Sequence, residues 1–363
     1  MKIPLVDLGR QHSMLEKEIH DAIYKVINES RFILGEEVSR FEENFARFCG
    51  KKYAVATKSG TDALMLALKA YNVKGRAVTV PNTHAATAMA IVNAGAELKF
   101  VDINPETYNM GKLSGLSEIG AIVPVHLYGL PADMDYFLEI AKYKEIPVIE
   151  DCCQAHGAEY KGKKVPVGET GVFSFYPGKN LGAFGDCGAV VTDNEEIAKT
   201  CRMMRWFGSD KSRYEHEIIG FNTKPDTIQA AVLNVKLKYL PKWVKARRAN
   251  AKLYNKNLEE IIHTPAEANN RKHAYHLYVI ESENRDGLLE YLNNNGIGAQ
   301  IHYPIPLHIQ PAFKFADYVG GNFPFAEKAA KRILSLPMFP EIKKGEIDYV
   351  CEKISDFSKK QQK

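Results

Sequence analysis

Between Tyr53 and Glu150, short apolar runs alternate with helix-patterned stretches, and this alternation restricts the chain more than any other feature. Tyr53–Ala56, Arg76–Val80, Leu98–Asp102, Ala121–Leu127 and Pro147–Glu150 are brief and apolar, as buried strands must be. Ala63–Ala70, His84–Asn93 and Met134–Tyr143 lie between them with helical composition. Strands that alternate with helices predict an α/β fold: a mostly parallel central sheet with helices on both faces.

The flanking segments follow other patterns. Leu15, Ile19, Ile23 and Ile27 recur every four residues, which predicts one apolar stripe on an N-terminal helix. A second helix is predicted from Glu36 to Phe48, before Gly50. Beyond Val191 a helix from Thr227 to about Leu240, closed by Pro241, precedes another over Trp243–Leu258. The rest reads as a smaller α+β unit. Its strands are His276–Glu281 and Gly298–Tyr303, its helix is Arg285–Asn294, and a last helix starts near Gly345 and ends in a frayed KKQQK tail. The boundary falls between 240 and 262 and is drawn at 245/246. Residues 1–245 are then a large domain and residues 246–363 a small C-terminal one.

Composition narrows the function. The net charge of +4 over 363 residues is small, and no basic run interleaves with aromatics, which argues against nucleic acid as a partner. The N-terminus MKIPLVDLGRQH has no apolar leader segment, and no run has the length of a membrane span, so a cytoplasmic protein is expected. The six cysteines show no CxxC spacing, which predicts reduced thiols and no zinc site.

Five stretches carry chemistry. In Gly171–Thr192, two apolar runs flank Pro177-Gly178-Lys179, so a tight hairpin would hold Lys179 on stiff supports at its tip. A lysine shielded there can lose its charge and attack a carbonyl carbon, although a solvated lysine fits the same pattern. Ser59-Gly60-Thr61-Asp62 opens a helix and suits a phosphate, yet these residue types are also the preferred N-caps. Asp151 ends a strand, where ligands of parallel sheets bind, with Gln154 and His156 beyond it. His84 starts a helix after Pro81-Asn82-Thr83 and offers a flat ring. Asn222 lies in a polar turn before the long helix.

The order of these pieces, with Glu150-Asp151-Cys152-Cys153-Gln154-Ala155-His156-Gly157 and Ser174-Phe175-Tyr176-Pro177-Gly178-Lys179-Asn180-Leu181-Gly182, resembles the fold-type I pyridoxal-phosphate enzymes. More narrowly, it resembles the DegT/DnrJ/EryC1/StrS sugar aminotransferases over nearly the whole chain. The resemblance implies pyridoxal 5′-phosphate (PLP) as cofactor. Lys179 would carry it covalently and later move a proton, and Asp151 would keep its pyridine nitrogen protonated. Gly60, Thr61 and Ser174 match the phosphate cradle, and Gln154 matches the residue near the 3-hydroxyl. His84 stands where many relatives place Phe, Tyr or Trp against the ring. Asn222 matches an asparagine supplied by the neighbouring subunit, which implies a homodimer with shared active sites. Lys224 replaces the arginine common in that turn, and the two are not equivalent in bidentate contacts.

Relatives that dehydrate sugars have histidine in place of Lys179, so the resemblance implies transamination, with L-glutamate as amino donor. The Tyr176–Ala183 stretch is similar to enzymes that aminate C3 of dTDP-linked 3-keto-6-deoxyhexoses; the C4 branch more often has His-Pro-x-Lys there. His302, Tyr303 and His308, in a proline-rich segment typical of nucleotide-sugar members, are expected to line the sugar pocket. The alternatives are a C4 aminotransferase and a non-catalytic PLP-binding regulator. The regulator would be marked by loss of Lys179 or Asp151, and both residues are present.

Overall fold

The computed structural model describes residues 1–113, 118–210, 212 and 214–361. Its centre is a sheet of β1 (Tyr53–Thr57), β2 (Arg76–Thr79), β3 (Glu97–Phe100), β4 (Ile119–Ile122), β5 (Ile149–Asp151), β8 (Thr170–Ser174) and β9 (Gly188–Thr192). A small ribbon consists of β6 (Glu159–Tyr160), β7 (Lys163–Lys164) and β10 (Arg271–Lys272). Three strands run β3-β2-β4 and four run β1-β9-β8-β5. Parallel bridges Ile122–Val148 and Val125–Asp151 join the two groups across β4 and β5. Only β9 runs against its neighbours β1 and β8, so the sheet is mostly parallel, as expected of an α/β protein.

Helices α1 (Leu8–Glu29), α2 (Glu36–Cys49), α3 (Gly60–Ala70), α4 (Ala85–Ala94), α5 (Met134–Lys144), α6 (Glu195–Arg205) and α7 (Thr227–Leu237) surround the sheet. One apolar cluster joins α3 and α4 to β2 and β4 through residues such as Leu66, Ile91, Val78 and Ile122. A second packs α2 and α7 onto β8 and β9 through Phe41, Phe45, Leu233, Phe173 and Val191. A third lies beyond α8 (Leu240–Leu258). There β11 (Tyr278–Glu281) pairs antiparallel with β12 (Ile333–Leu336), flanked by α9 (Arg285–Asn294) and α11 (Lys344–Gln361). Helix α10 (Pro324–Arg332) leads into β12. Ile3 belongs to this last cluster, because the N-terminal segment pairs with Ile297.

The structure corrects several expectations. Ile27 is exposed and Val26 is buried instead. Steps of four residues drift by about 40° each on a helix with 3.6 residues per turn, so Ile27 has rotated off the face of Leu15. The run Ala121–Leu127 leaves β4 at Ile122, ahead of Pro124, and Leu127–Gly129 forms a short 3₁₀ turn. Pro241 does not close a helix. It sits in the first turn of α8, where its missing N–H costs nothing. Gly298–Tyr303 is not a strand: only Gln300 pairs, exchanging both bonds with Ser335. The tail continues α11 through Gln361, and Gln362 and Lys363 lie outside the described residues. All six cysteines are free. Among the described residues no helix is long and apolar enough to cross a membrane.

A buried ion pair ties this frame together. Glu42 of α2 accepts the Ala56 amide of β1 at 2.8 Å and pairs with Arg205 of α6, which donates to the Ala56 carbonyl at 2.7 Å. Removing one partner strands a charge in the interior. Arg205→Met is expected to cost about 3 kcal/mol in urea unfolding, and the double variant Glu42→Leu/Arg205→Met to recover much of it.

Candidate active site

The site lies where the carboxyl end of β5, the amino ends of α3 and α4, and the chain between β8 and β9 meet. At the start of α3 the Ser59 hydroxyl oxygen accepts the Asp62 amide at 3.1 Å, and Ser59 O accepts from Ala63. The amides of Gly60 and Thr61 precede the first intrahelical bond, so among the described residues both remain available as donors at the positive end of the dipole. Two neighbours keep that turn open. A Cβ on Gly60 would stand 2.7 Å from the Ser174 Cβ, and one on Gly188 would stand 2.3 Å from the Ser59 carbonyl.

Lys179 does not sit at the tip of a tight hairpin. The connection between β8 and β9 spans residues 175–187, and Lys179 occupies a turn closed by its own amide to Tyr176 O at 2.8 Å. Phe175 pairs with Cys187 and Ala183, and the buried Lys236 donates to Gly182 O at 2.8 Å, which fixes the loop. Its ε-amine makes no hydrogen bond or ion pair among the described residues. Burial pushes its pKa down, against the opposing pull of Cys153 and Asp151.

Asp151 is 5% exposed. One carboxylate oxygen accepts the Cys153 amide at 3.1 Å and the other the Thr87 hydroxyl at 2.8 Å. No cation pairs with it among the described residues. A buried carboxylate held by two neutral donors still has room for a cationic partner. Gln154 is fixed at both ends of its amide: the Tyr128 amide donates to Oε1 at 2.6 Å, and Nε2 donates to the Tyr303 hydroxyl at 3.1 Å. His84 is the N-cap of α4, its Nδ1 accepting from Ala86 at 3.1 Å, which leaves the ring neutral with a proton on Nε2. Burial and Lys179 both lower its pKa.

A cavity of about 660 Å³, within the usual size for a small-molecule site, brings together Gly60, Thr61, His84, Asp151, Gln154, Ser174, Lys179, His302 and Tyr303. Two expected residues are elsewhere. His308 is buried against Phe323, with Nε2 3.0 Å from Glu327, and does not line the cavity because the 3₁₀ turn Leu307–Ile309 aims it away. Asn222 is exposed outside this chain's cavity and takes a bond from Lys224. Thr87, His276 and Gln300 were missed from the sequence. Thr87 lies one helical turn from Thr83, and only the packing of α4 against β5 brings it to Asp151.

A second cluster, His126, Glu150 and Cys152, has its ligand atoms within 4.8 Å of one another, but the histidine and glutamate atoms are already committed. Glu150 accepts the Gly168 and Val167 amides and contacts His126 Nε2, while His126 Nδ1 accepts from Ala132. It braces the strand behind Asp151.

The donor set of the cavity fits PLP. Two free helix-terminal amides and Ser174 suit a phosphate, an unpaired buried carboxylate suits a protonated ring nitrogen, and an unpartnered amine suits the aldehyde carbon. The fold and this donor set define the class: a fold-type I aminotransferase. The sequence signature of the DegT/DnrJ/EryC1/StrS aminotransferase family spans residues 13–355, and the chain belongs to that PLP-dependent family.

Among its relatives, a protein of Geobacillus stearothermophilus named as a pleiotropic regulatory protein is 42% identical over 98% of this chain and 99% of its own length. The dTDP-3-amino-3,4,6-trideoxy-α-D-glucose transaminase of Streptomyces venezuelae is 37% identical, covering 99% and 97%. An Acidithiobacillus ferrooxidans enzyme named for 3-amination of UDP-N-acetyl-3-dehydro-α-D-glucosamine is 39% identical, covering 95% of each. The crystal structure of S. venezuelae DesV in complex with a ketimine intermediate superimposes with a TM-score of 0.96 at 36% identity, covering 98% of each chain.

Burial also makes the site acid-sensitive. His156 is fully buried, and burial pulls its pKa down to about 3. His302, in the cavity, is lowered to about 4 by the same cause. The folded protein keeps both neutral, while the unfolded chain protonates them near pH 6.5. Below that value the unfolded state binds more protons, so stability falls as the pH drops from about 6.5 toward 4. The apoprotein should therefore lose urea stability between pH 7 and pH 5. His156→Leu should shrink that loss by up to about 1.4 kcal/mol per pH unit; an unchanged slope would contradict the assignment.

Proposed function

We propose that the chain transfers an amino group from L-glutamate to the C3 keto group of a dTDP-linked 3-keto-6-deoxyhexose. The observation that carries the catalytic part is the juxtaposition of Lys179 and Asp151 in one cavity, an amine without a partner and a carboxylate without a cation. When bound there, PLP supplies an electron sink for negative charge at the donor's α-carbon. The amides of Gly60 and Thr61, with the Ser174 hydroxyl, bind the phosphate. Asp151 holds the proton on the ring nitrogen, and Thr87 fixes the carboxylate's orientation. Neutral His84 covers one face of the ring without adding a competing charge, and Gln154 Nε2 keeps a hydrogen for the 3-oxygen. Lys179 Nζ, its pKa lowered, takes the α-proton and returns it on the far side of the transfer. His302 and Tyr303 face the acceptor sugar.

Asn222 acts in a second copy of the chain. Its exposure outside the cavity favours that role, as does the exposed Phe207, which packs beside the same turn under Lys224. The division at 245/246 separates a cofactor-carrying part from one that presents His302 and Tyr303. The dTDP acceptor is favoured by the Tyr176–Ala183 stretch and by the S. venezuelae transaminase; the UDP-named relative favours a UDP-linked acceptor instead. The regulatory name of the G. stearothermophilus relative favours a binding role. Against it, an intact lysine and aspartate serve turnover rather than binding alone.

Absorbance decides among these. The holoenzyme band near ~410–430 nm should fall with L-glutamate and return with dTDP-3-keto-6-deoxyhexose. Return only with a UDP-linked 3-keto sugar would replace the acceptor, and no response to any keto sugar would favour the regulator. Lys179→Ala should lose the band and at least about a hundredfold in turnover. Asp151→Asn should slow turnover by about tenfold to a hundredfold while cofactor still binds; an unchanged rate would remove Asp151 from the mechanism.

A further inference from the structure

Tyr128 is a buried, non-glycine residue in the left-handed region, with φ of 58°. L-residues with bulky side chains avoid that region, and such outliers persist where surrounding contacts determine them. Here the contacts are unusually complete. The Tyr128 amide donates to Gln154 Oε1 at 2.6 Å, its carbonyl accepts from Leu277 at 3.2 Å, and its hydroxyl donates to the carbonyl of His302. Its ring packs edge-on against Tyr108, whose hydroxyl reaches Glu281 of β11 at 2.7 Å. The next residue, Gly129, allows the approach: a Cβ there would stand 3.0 Å from the His276 nitrogen and 3.1 Å from the Gln154 carbonyl.

One residue thus touches both halves of the cavity. Through its main chain it sets the Gln154 amide so that Nε2 points inward, and through its side chain it holds the segment that presents His302 and Tyr303. The other ties of the latter segment are Gln300 paired with Ser335, His302 Nδ1 at 2.9 Å from Ser335 Oγ, the Tyr303 hydroxyl accepting from Gln154 Nε2 at 3.1 Å, and the Leu307 amide donating to Pro81 O at 2.7 Å. The Tyr128 hydroxyl is thus the one that grips the main chain at His302 itself. We infer that Tyr128 is a positioning residue whose hydroxyl clamps the His302–Tyr303 segment for the acceptor sugar, leaving the amino-donor half-reaction to the groups around Gln154. This rests on the reading above that His302 and Tyr303 face the sugar.

Tyr128→Phe separates the two arms, because it deletes the hydroxyl and keeps the amide. In the holoenzyme, hydrogen exchange at residues 300–307 should quicken about tenfold, with residues 149–154 unaffected. The KM for dTDP-3-keto-6-deoxyhexose should rise about fivefold to tenfold, the worth of one neutral hydrogen bond. The half-reaction with L-glutamate, followed by absorbance alone, should stay within about twofold. Unchanged exchange at 300–307 would overturn the inference, since the hydroxyl would then hold nothing. Equal slowing of both half-reactions would also overturn it, as a general defect. Faster exchange with an unchanged KM would remove the clamp from sugar binding. His302→Ala then tells the cases apart: an impaired sugar half-reaction leaves only the Tyr128 inference wrong, whereas an unimpaired one takes the sugar-pocket reading with it.

Discussion

Asp151 is a carboxylate at the end of a buried strand, held by two neutral donors and, among the described residues, by no cation. Much of the surrounding architecture serves to hold it in place. Its amide donates to Pro124 O and its carbonyl accepts from His126, so the neighbouring chain on the β4 side grips both sides of the residue. Behind it, Glu150 is saturated by the Gly168 and Val167 amides and by His126. The carboxylate therefore stays directed into the cavity.

Opposite it, Lys179 is kept available by a different device. A loop, rather than a strand end, carries it, and loops move unless their backbone is satisfied. Here Phe175 and Ala183 close the loop across its base, and Lys236 anchors it at Gly182. Lys236 is itself buried, with its pKa lowered to about 8 by that burial, so the anchor has an electrostatic cost. The stability given up at that lysine maintains the geometry at the other, a pattern typical of sites held against local preference.

Tyr128 and Gln154 connect this arrangement to the C-terminal region. Gln154 and the His302–Tyr303 segment lie more than a hundred residues apart in the chain, and the short turn at Leu127–Gly129 is in contact with both. A left-handed tyrosine is a poor choice for a turn in isolation. It is tolerated because main chain and side chain are each fully used.

Much of this was legible in the sequence, where local physics decides the outcome. Alternating apolar runs located the sheet, the Ser59–Asp62 turn marked the start of a helix, and the order of Asp151 and Lys179 pointed to one cofactor chemistry. Period and proline misled where neighbours decide: Ile27 drifted off its helix face, Pro241 opened a helix instead of ending one, and Gly298–Tyr303 found only one pairing position. His308 looked equivalent to His302 in a proline-rich segment, yet the turn at Leu307–Ile309 buries it against Phe323. Thr87 and Tyr128 carried no signal, because a hydroxyl or an amide becomes functional only through what packs against it. The sequence by itself determined the elements and the reactive side chains, since those depend on residue type and near neighbours. Tertiary structure alone decided which polar atoms are left unpaired, because pairing is settled between segments distant in the chain.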